Sequence, residues 1–209
     1  MVSDEDVSRR EVQVVSKLHR RQWLGVAEKL RDGYWLFKTR FYYRPQFAEV
    51  GRNSVIIKPM LIRNPKGISI GANSRIRDGA RIEVVDRPGC DPGRLVIGEN
   101  VRIEQSVHIV CCDTITIGDN VTITPGCVIV DTSHPEFTRG AHRAEVVDGK
   151  PSHVIIGDNV FLGARTIVLP NVTIGHNSVI GAGSIVSRDV PANSVASGSP
   201  ARTSRQIGT

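Results

Sequence analysis

An aliphatic residue recurs at every sixth position in six separate stretches of this chain, and that period constrains the fold more than any other feature. A helix gives a period of about 3.6 residues and a strand a period of 2, so neither produces it. A chain that turns a corner every six residues does, and three such sides close one triangular coil. The sequence therefore predicts an all-β solenoid with one shared apolar interior. The repeating positions are Val50, Ile56, Ile62; Ile70, Ile76, Ile82; Ile97, Ile103, Ile109; Ile117, Ile123, Ile129; Ile156, Leu162, Val168; and Ile174, Ile180, Val186.

A second motif, Ile-Gly-x-Asn, opens five of the six coils. It starts at Ile70, Ile97, Ile117, Ile156 and Ile174. Gly and Asn both adopt left-handed backbone at little cost, so we expect these residues to form tight corners. Small residues near the next inward position are predicted to fill the remaining interior: Ser74, Ala80, Val101, Val121, Thr166, Ser178 and Ser184.

Together these motifs resemble the hexapeptide-repeat acyltransferases over residues 45–205, most specifically from Ile115 to Arg205. The resemblance implies a left-handed parallel β-helix; the period alone does not give the hand. We predict an N-terminal helix and capping segment at 1–45, a β-helix at 46–190 with a long active-site loop at 131–153, and a C-terminal tail at 191–209.

Composition narrows the class of protein. The chain has 209 residues, a formal net charge of +6 and four cysteines, Cys90, Cys111, Cys112 and Cys127, without metal-ligand spacing. No apolar run is long enough to span a bilayer. We therefore expect a cytoplasmic protein with reduced thiols. No nucleic-acid motif accompanies the positive charge.

Many of the basic residues precede residue 45. An apolar stripe at Val12, Val15, His19, Trp23, Val26 and Leu30 predicts a helix over 4–32 that ends at Asp32-Gly33. The aromatic segment from Tyr34 to Tyr43 is predicted to cap the open end of the solenoid; the alternative for this segment is a role at a membrane surface. The basic residues are interpreted as a solvated helix face; the alternative is an arm that sits near an anionic membrane surface or a phosphate-bearing glycan carrier.

Irregular distances between coil starts locate the insertions. A nine-residue excursion lies at 86–94, and twenty-one extra residues lie between Val130 and Pro151. Long loops in compact domains are usually functional, so the second insertion is the candidate active-site loop.

This loop carries a candidate general base, His134, followed by Pro135. His134 stands seventeen residues after Ile117, where the sugar and xenobiotic acetyltransferases of this family have a His-Pro pair. Imidazole can take the proton of an alcohol as it attacks a thioester. Asp131, three residues earlier, is the predicted orienting partner, and Glu136 and Glu104 are its rivals.

The residues expected to bind the acceptor match the family less closely than the candidate base does. In the galactoside and maltose acetyltransferases an Asn stands thirteen residues before this coil's Ile, and here that position is Glu104. We expect Glu104, Glu136 and His142 near the acceptor. His134, His142 and His153 lack the His-x4-His spacing of the γ-class carbonic anhydrases that share this fold, so no metal is predicted.

The resemblance also implies acetyl-CoA as co-substrate. Phe161 stands where the family usually has Trp, and Gly163, Ala164 and Ala182 would let the pantetheine arm approach the backbone. Ser187 and Arg188 follow the last coil, and Arg202 lies in Gly198-Ser199-Pro200-Ala201-Arg202, close to a family motif. Arg188, Arg202 and Arg205 can bind the nucleotide phosphates.

These features and the resemblance predict an acetyl-CoA-dependent O-acetyltransferase that acts on a sugar hydroxyl in surface polysaccharide or glycan biosynthesis and uses no metal. As in the family, its sites are expected to lie between the subunits of a homotrimer. The sequence leaves two alternatives: an amino-sugar N-acetyltransferase, and an inactive β-helix that serves as a binding or scaffold subunit.

Overall fold

The protein is a triangular solenoid whose three sides are parallel β-sheets. The structure, a computed structural model, describes residues 30–86, 92–132 and 151–208. The fold is a left-handed parallel β-helix. Each coil contributes one short strand to sheets A, B and C in turn, so the predicted six-residue sides are confirmed.

Sheet A receives the first strand of each coil, and its strands pair in parallel register, as in Ile97–Ile117–Ile156. In spatial order its strands are β1 (Glu49–Val50), β4 (Ile68–Ile70), β7 (Arg94–Ile97), β10 (Thr114–Ile117), β13 (His153–Ile156) and β16 (Val172–Ile174).

Sheet B receives the second strand. It consists of β2 (Val55–Ile56), β5 (Arg75–Ile76), β8 (Arg102–Ile103), β11 (Thr122–Ile123), β14 (Phe161–Leu162), β17 (Val179–Ile180), β19 (Ser194–Gly198) and β20 (Ala201–Gln206). β19 extends the sheet beyond residue 190, and β20 folds back antiparallel to it.

Sheet C receives the third strand and completes the prism. Its strands are β3 (Leu61–Arg63), β6 (Arg81–Val84), β9 (His108–Cys111), β12 (Val128–Val130), β15 (Ile167–Val168) and β18 (Ile185–Val186). The corners between sheets form three long edges, which we name AB, BC and CA after the sheets they join.

The interior is the apolar column that the six-residue period predicts. All eighteen repeat positions are buried except Ile62, which is partly buried against the others. The small inner residues expected from the sequence, from Ser74 to Ser184, are buried as well. Their hydroxyls bond the backbone of adjacent coils; Ser74 Oγ, for example, accepts the N–H of Val101 at 3.0 Å.

The Ile-Gly-x-Asn motif forms the AB edge, but its glycine has a different role from the one expected. The five Asn residues are left-handed, with φ between 56° and 58°, whereas the five Gly residues are not among those with positive φ. A Cβ on any of these glycines would lie 2.2–2.6 Å from an atom of the next coil. Asn therefore makes the turn, and Gly permits the coils to stack.

The N-terminal helix does not end where the sequence predicts. Helix α1 spans residues 30–38 of the described chain and passes through Asp32-Gly33, where we expected it to end. It continues as a π-helical turn, Thr39–Tyr43, and a 3-10 turn, Arg44–Gln46. The predicted start of this helix and its stripe up to Val26 lie outside the described residues. No described helix is long and apolar enough to cross a membrane.

The open end of the solenoid is capped by a small part of the aromatic segment. Thr39 Oγ1 accepts the N–H of Ile56 at 2.9 Å, Phe47 is buried, and Tyr43 packs against the core. Four of the six rings in the segment are largely exposed instead: Tyr34, Phe37, Phe41 and Tyr42 are 57–63% exposed. Most of the aromatic residues therefore do not serve as the predicted cap.

Candidate active site

The CA edge is where coils depart from regular length. The segments at 85–93, 112–113 and 131–152 all lie between a strand of sheet C and the next strand of sheet A. The AB and BC edges keep tight turns of four residues or fewer. A functional loop must therefore leave the prism along the CA edge, as the insertion after Val130 does.

Asp131 opens that insertion and is buried. Its Oδ1 accepts the backbone N–H of Cys112 at 2.7 Å, and its Oδ2 accepts that of Asp113 at 2.8 Å. Burial raises the pKa of Asp131, while the hydrogen bonds from Cys112, Asp113 and the Cys111 thiol oppose that rise. The carboxylate thus fastens the start of the insertion to the turn of the preceding coil.

Ser152 closes the other end of the insertion on the same turn. Its N–H and its Oγ both lie 3.0 Å from Asp113 Oδ2, and its Oγ also contacts the carbonyl of Asp131. Asp113, Asp131 and Ser152 form a polar clamp, which we call the loop neck. Residues 133–150, including His134, Glu136 and His142, lie outside the described residues.

Two buried thiols, Cys111 beside the neck and Cys127 on the BC edge, are not suited to nucleophilic chemistry. Burial raises the pKa of Cys111, and the neighbouring Asp131 carboxylate raises it further. Burial also raises the pKa of Cys127. Both therefore stay protonated near neutral pH.

The BC edge gathers a different group of the predicted residues. Because Ile103, Ile123, Leu162 and Ile180 are in register, Glu104 and Gly163 occupy one column two coils apart. Strands lie about 4.8 Å apart, so this separation is about 10 Å. The Glu104 carboxylate lies 3.5 Å from Arg77 Nε.

Small residues keep the backbone open along this edge. Ala164 and Ala182 are exposed. Gly163 is buried, and a Cβ there would lie 2.4 Å from the backbone N of Ala182. Coil stacking therefore requires a glycine at position 163, independently of any ligand that binds to the outer surface of this edge.

The remaining residues predicted to bind acetyl-CoA lie in two places, on sheet B and on the CA edge. Phe161 presents a ring that is 42% exposed on the outer face of sheet B. Arg202 and Arg205 are exposed on β20, at the end of the same sheet. Ser187 and Arg188 instead follow β18 and are exposed on the CA edge.

One chain therefore brings Glu104 together with Gly163, Ala164 and Ala182, and places Asp131 on another edge. Six residues separate the two edges along each coil, so sheet C holds them up to about 20 Å apart. Among the described residues, a single column of coils does not bring together all those predicted for the site.

Two members of the loop neck, Asp113 and Ser152, were missed from the sequence. The available signal was the two-residue excess between Ile97 and Ile117, which falls between Ile109 and Ile117, the stretch that contains Asp113. Among residues 30–86, 92–132 and 151–208, no group of His, Cys, Asp and Glu side chains could hold a metal ion.

Comparison with known proteins places these features in context. Residues 153–188 match the family model "Bacterial transferase hexapeptide (six repeats)". The chain is 31% identical over 197 residues to the putative lipopolysaccharide biosynthesis O-acetyl transferase WbbJ of Escherichia coli K12, covering 90% of this chain and 92% of that protein. It is 43% identical over 111 residues to the galactoside O-acetyltransferase of the same organism, and this match spans only 53% of either chain.

Solved structures share the fold at lower identity. AntD, an N-acyltransferase from Bacillus cereus in complex with dTDP and 3-hydroxybutyryl-CoA, aligns with a TM-score of 0.62 at 23% identity, over 79% of this chain and 86% of that one. A hexapeptide-repeat acetyltransferase from Vibrio cholerae complexed with acetyl coenzyme A aligns with a TM-score of 0.53 at 23% identity, over 88% of both chains.

Proposed function

Because the chain belongs to the hexapeptide-repeat transferase family, we propose that it is an acetyl-CoA-dependent O-acetyltransferase acting on a sugar hydroxyl in glycan biosynthesis. The observation that carries this proposal is the loop neck, which fixes both ends of the segment bearing His134-Pro135. The names of the relatives add support, since WbbJ is named a putative O-acetyl transferase and the galactoside enzyme is named an O-acetyltransferase.

His134 is the proposed general base. It follows Asp131 by three residues, so the buried carboxylate that anchors the loop also limits where the imidazole can lie. Both Asp131 oxygens already accept backbone amides. Its proposed contribution is therefore to position the loop, and an acid of the loop such as Glu136 is a rival partner for the imidazole.

The proposed reaction needs no enzyme nucleophile. The hydroxyl oxygen of the acceptor bonds to the acyl carbon, and imidazole takes the hydroxyl proton. The carbon–sulfur bond breaks, and the proton returns to the departing thiolate of CoA. The products are the acetyl ester and free CoA.

The donor is proposed to lie along the BC edge and sheet B. Ala164 and Ala182 leave backbone amides accessible to the pantetheine arm, and the exposed Phe161 ring offers an apolar wall. β20 follows β14, β17 and β19 in sheet B, so Arg202 and Arg205 stand about 14 Å from Phe161. Cations at that end suit the phosphates of CoA.

Each site is proposed to be shared between two subunits of a homotrimer. The loop neck and Arg188 occupy the CA edge, and the small donor-side residues occupy the BC edge. A neighbouring copy can present its BC edge to the loop of the first. Glu104 would then face the acceptor from the donor-side subunit, opposite Glu136 and His142 of the loop.

The decisive experiment measures CoA release with a thiol-reactive dye across a panel of sugars and nucleotide sugars. We expect His134→Ala to lower kcat by about 10²–10⁴-fold, which is the usual contribution of a general base to the rate. Acetyl-CoA binding should be unchanged. The matched control is His176→Ala, since His176 lies on the AB edge. Near wild-type turnover by His134→Ala would refute the assignment.

An amino-sugar N-acyltransferase is the second candidate, favoured by the fold similarity to AntD. The same base would deprotonate an ammonium group. The two activities differ in their products, because mild alkali hydrolyses an acetyl ester and leaves an acetamide intact. An alkali-stable product would favour the second candidate.

A further inference from the structure

Helix α1 and the π-helical turn that continues it carry an apolar stripe on the side that faces away from the solenoid. Leu30, Tyr34, Phe37 and Phe41 follow one another at spacings of three and four residues, and they are 57–70% exposed. The Phe37 and Phe41 rings are in contact, with centroids 4.6 Å apart. We call these four residues the α1 stripe.

The opposite side of this segment is fastened to the solenoid. Asp32 Oδ2 lies 2.9 Å from Arg75 Nη2 on β5, and Thr39 Oγ1 accepts the N–H of Ile56. The hydrogen bond from Arg75 lowers the pKa of Asp32, so this carboxylate is ionised at neutral pH. The stripe is therefore held in a fixed orientation, pointing outward.

Cations border the α1 stripe. The Arg40 guanidinium carbon lies 5.8 Å from the centroid of Phe41, and the Lys38 ammonium lies 5.0 Å from that of Trp35. Arg31 and Arg44 are exposed on the same segment. Asp32 is the single acid within residues 30–47, and it faces Arg75.

We propose that the α1 stripe docks on an anionic membrane surface. Aromatic and aliphatic side chains between flanking Lys and Arg are the pattern of helices that lie in the lipid interface. The charged ends of Arg and Lys reach the headgroups while the rings enter the acyl boundary.

The charge distribution favours lipid over a second copy of the chain. A two-fold contact between stripes would bring the cations of both copies together without acids from residues 30–47 to balance them. Anionic headgroups supply the missing negative charge. The docked helix would keep the catalytic edges beside the membrane, where a lipid-linked glycan would be accessible; the docking itself does not depend on the proposed activity.

The test is co-sedimentation of the full-length protein with vesicles. We expect binding to vesicles of phosphatidylcholine with phosphatidylglycerol, little binding to phosphatidylcholine alone, and release at high salt. Phe37→Ser combined with Phe41→Ser should weaken binding by about tenfold or more, and Arg40→Glu combined with Arg44→Glu should do the same.

The controls separate the stripe from general apolar and basic surface. Ile207→Ser changes an exposed apolar residue at the far end of the solenoid, and Arg102→Glu changes an exposed cation on β8; both should bind like the wild type. CoA release and circular dichroism should be unchanged in all four variants. The proposal is overturned if the wild type does not bind anionic vesicles, if binding is equal on both vesicle types, or if the stripe variants bind unchanged. It is also overturned if the double Phe variant alters the oligomeric state in ultracentrifugation without lipid.

Discussion

Asp131 illustrates how one buried side chain can organise a long loop. Its two oxygens accept two consecutive backbone amides, and Ser152 ties the far end of the insertion to the same turn. Burying a carboxylate is costly unless hydrogen bonds compensate it. Here the two backbone amides offset the cost of burying Asp131, which stands three residues before His134.

We predict a specific pH dependence for Asp131. Burial raises its pKa above 3.8 in the folded protein, so the folded state binds this proton more tightly than the unfolded state. Its contribution to stability is therefore fully present below 3.8 and declines as pH rises through the raised pKa. The measurement is urea unfolding of the wild type and Asp131→Asn at a series of pH values.

The difference in unfolding free energy, wild type minus Asp131→Asn, should fall with rising pH across that window and then level off. Asp131→Asn is the control for the wild type, because it lacks the titrating carboxyl group. A difference that rises with pH would contradict a raised pKa.

Gly163 gives a second prediction at the scale of one residue. A Cβ there would lie 2.4 Å from the backbone N of Ala182, so Gly163→Ala must separate two coils. We expect a loss of about 1–3 kcal/mol in the free energy of unfolding, as for other overpacked sites. The neighbouring Ala164→Ser, at an exposed position, should change it by under about 0.5 kcal/mol. Equal urea midpoints for both variants would show that the coils do not touch as described.

Within each strand, inward residues pack in the core and outward residues lie on the surface of the sheet. β13 carries two adjacent isoleucines: Ile156 is 1% exposed in the core, and Ile155 is 41% exposed on the outer face of sheet A. Each strand has one or two inward residues, so its stability comes from stacking on neighbouring coils and not from its own length.

This pair supplies a matched test. Ile156→Ala should cost about 2–5 kcal/mol, because it leaves a cavity in a filled interior. Ile155→Ala removes the same atoms from a half-exposed position and should cost under about 1 kcal/mol. Thermal or urea unfolding of both variants measures the contrast. Similar losses would mean that β13 does not follow the assigned inward and outward alternation.

For the whole molecule, the division of site residues between two edges leads to a complementation experiment. His134→Ala disables the loop, and Ala182→Trp blocks the exposed backbone of the BC edge. Each homomeric variant should be inactive. If sites are shared between subunits, some sites in mixed oligomers combine an intact loop with an intact BC edge.

Doubly tagged trimers contain both variants, and in either composition one of the three shared sites combines an intact loop with an intact BC edge. These trimers should therefore show about a third of wild-type activity. The measurement is CoA release by co-expressed, doubly tagged oligomers. The control is each variant mixed with itself. Activity no higher than that of the two separate variants would contradict a shared site.

The sequence by itself determined the architecture, since the six-residue period and the coil-opening motif are local rules repeated in every coil. It predicted the buried column from Val50 to Val186 because one inward residue per side leaves little choice of packing. It also located the long insertion after Val130. The repeat did not reveal why each motif needs a glycine. Asn159 forms its corner through its own left-handed φ, whereas Gly157 is required because the backbone of the next coil leaves no room for a Cβ.

Tertiary structure alone decided the contacts between residues far apart in sequence. Asp113 and Ser152 are 39 residues apart, and only the stacking of successive coils brings them together in the loop neck. The end of α1 was mispredicted for a similar reason: Gly33 is a weak helix former, but the Asp32–Arg75 pair and the Thr39–Ile56 contact hold the segment against sheet B. Propensity is a local quantity of about 1 kcal/mol, and contacts with a distant strand can override it.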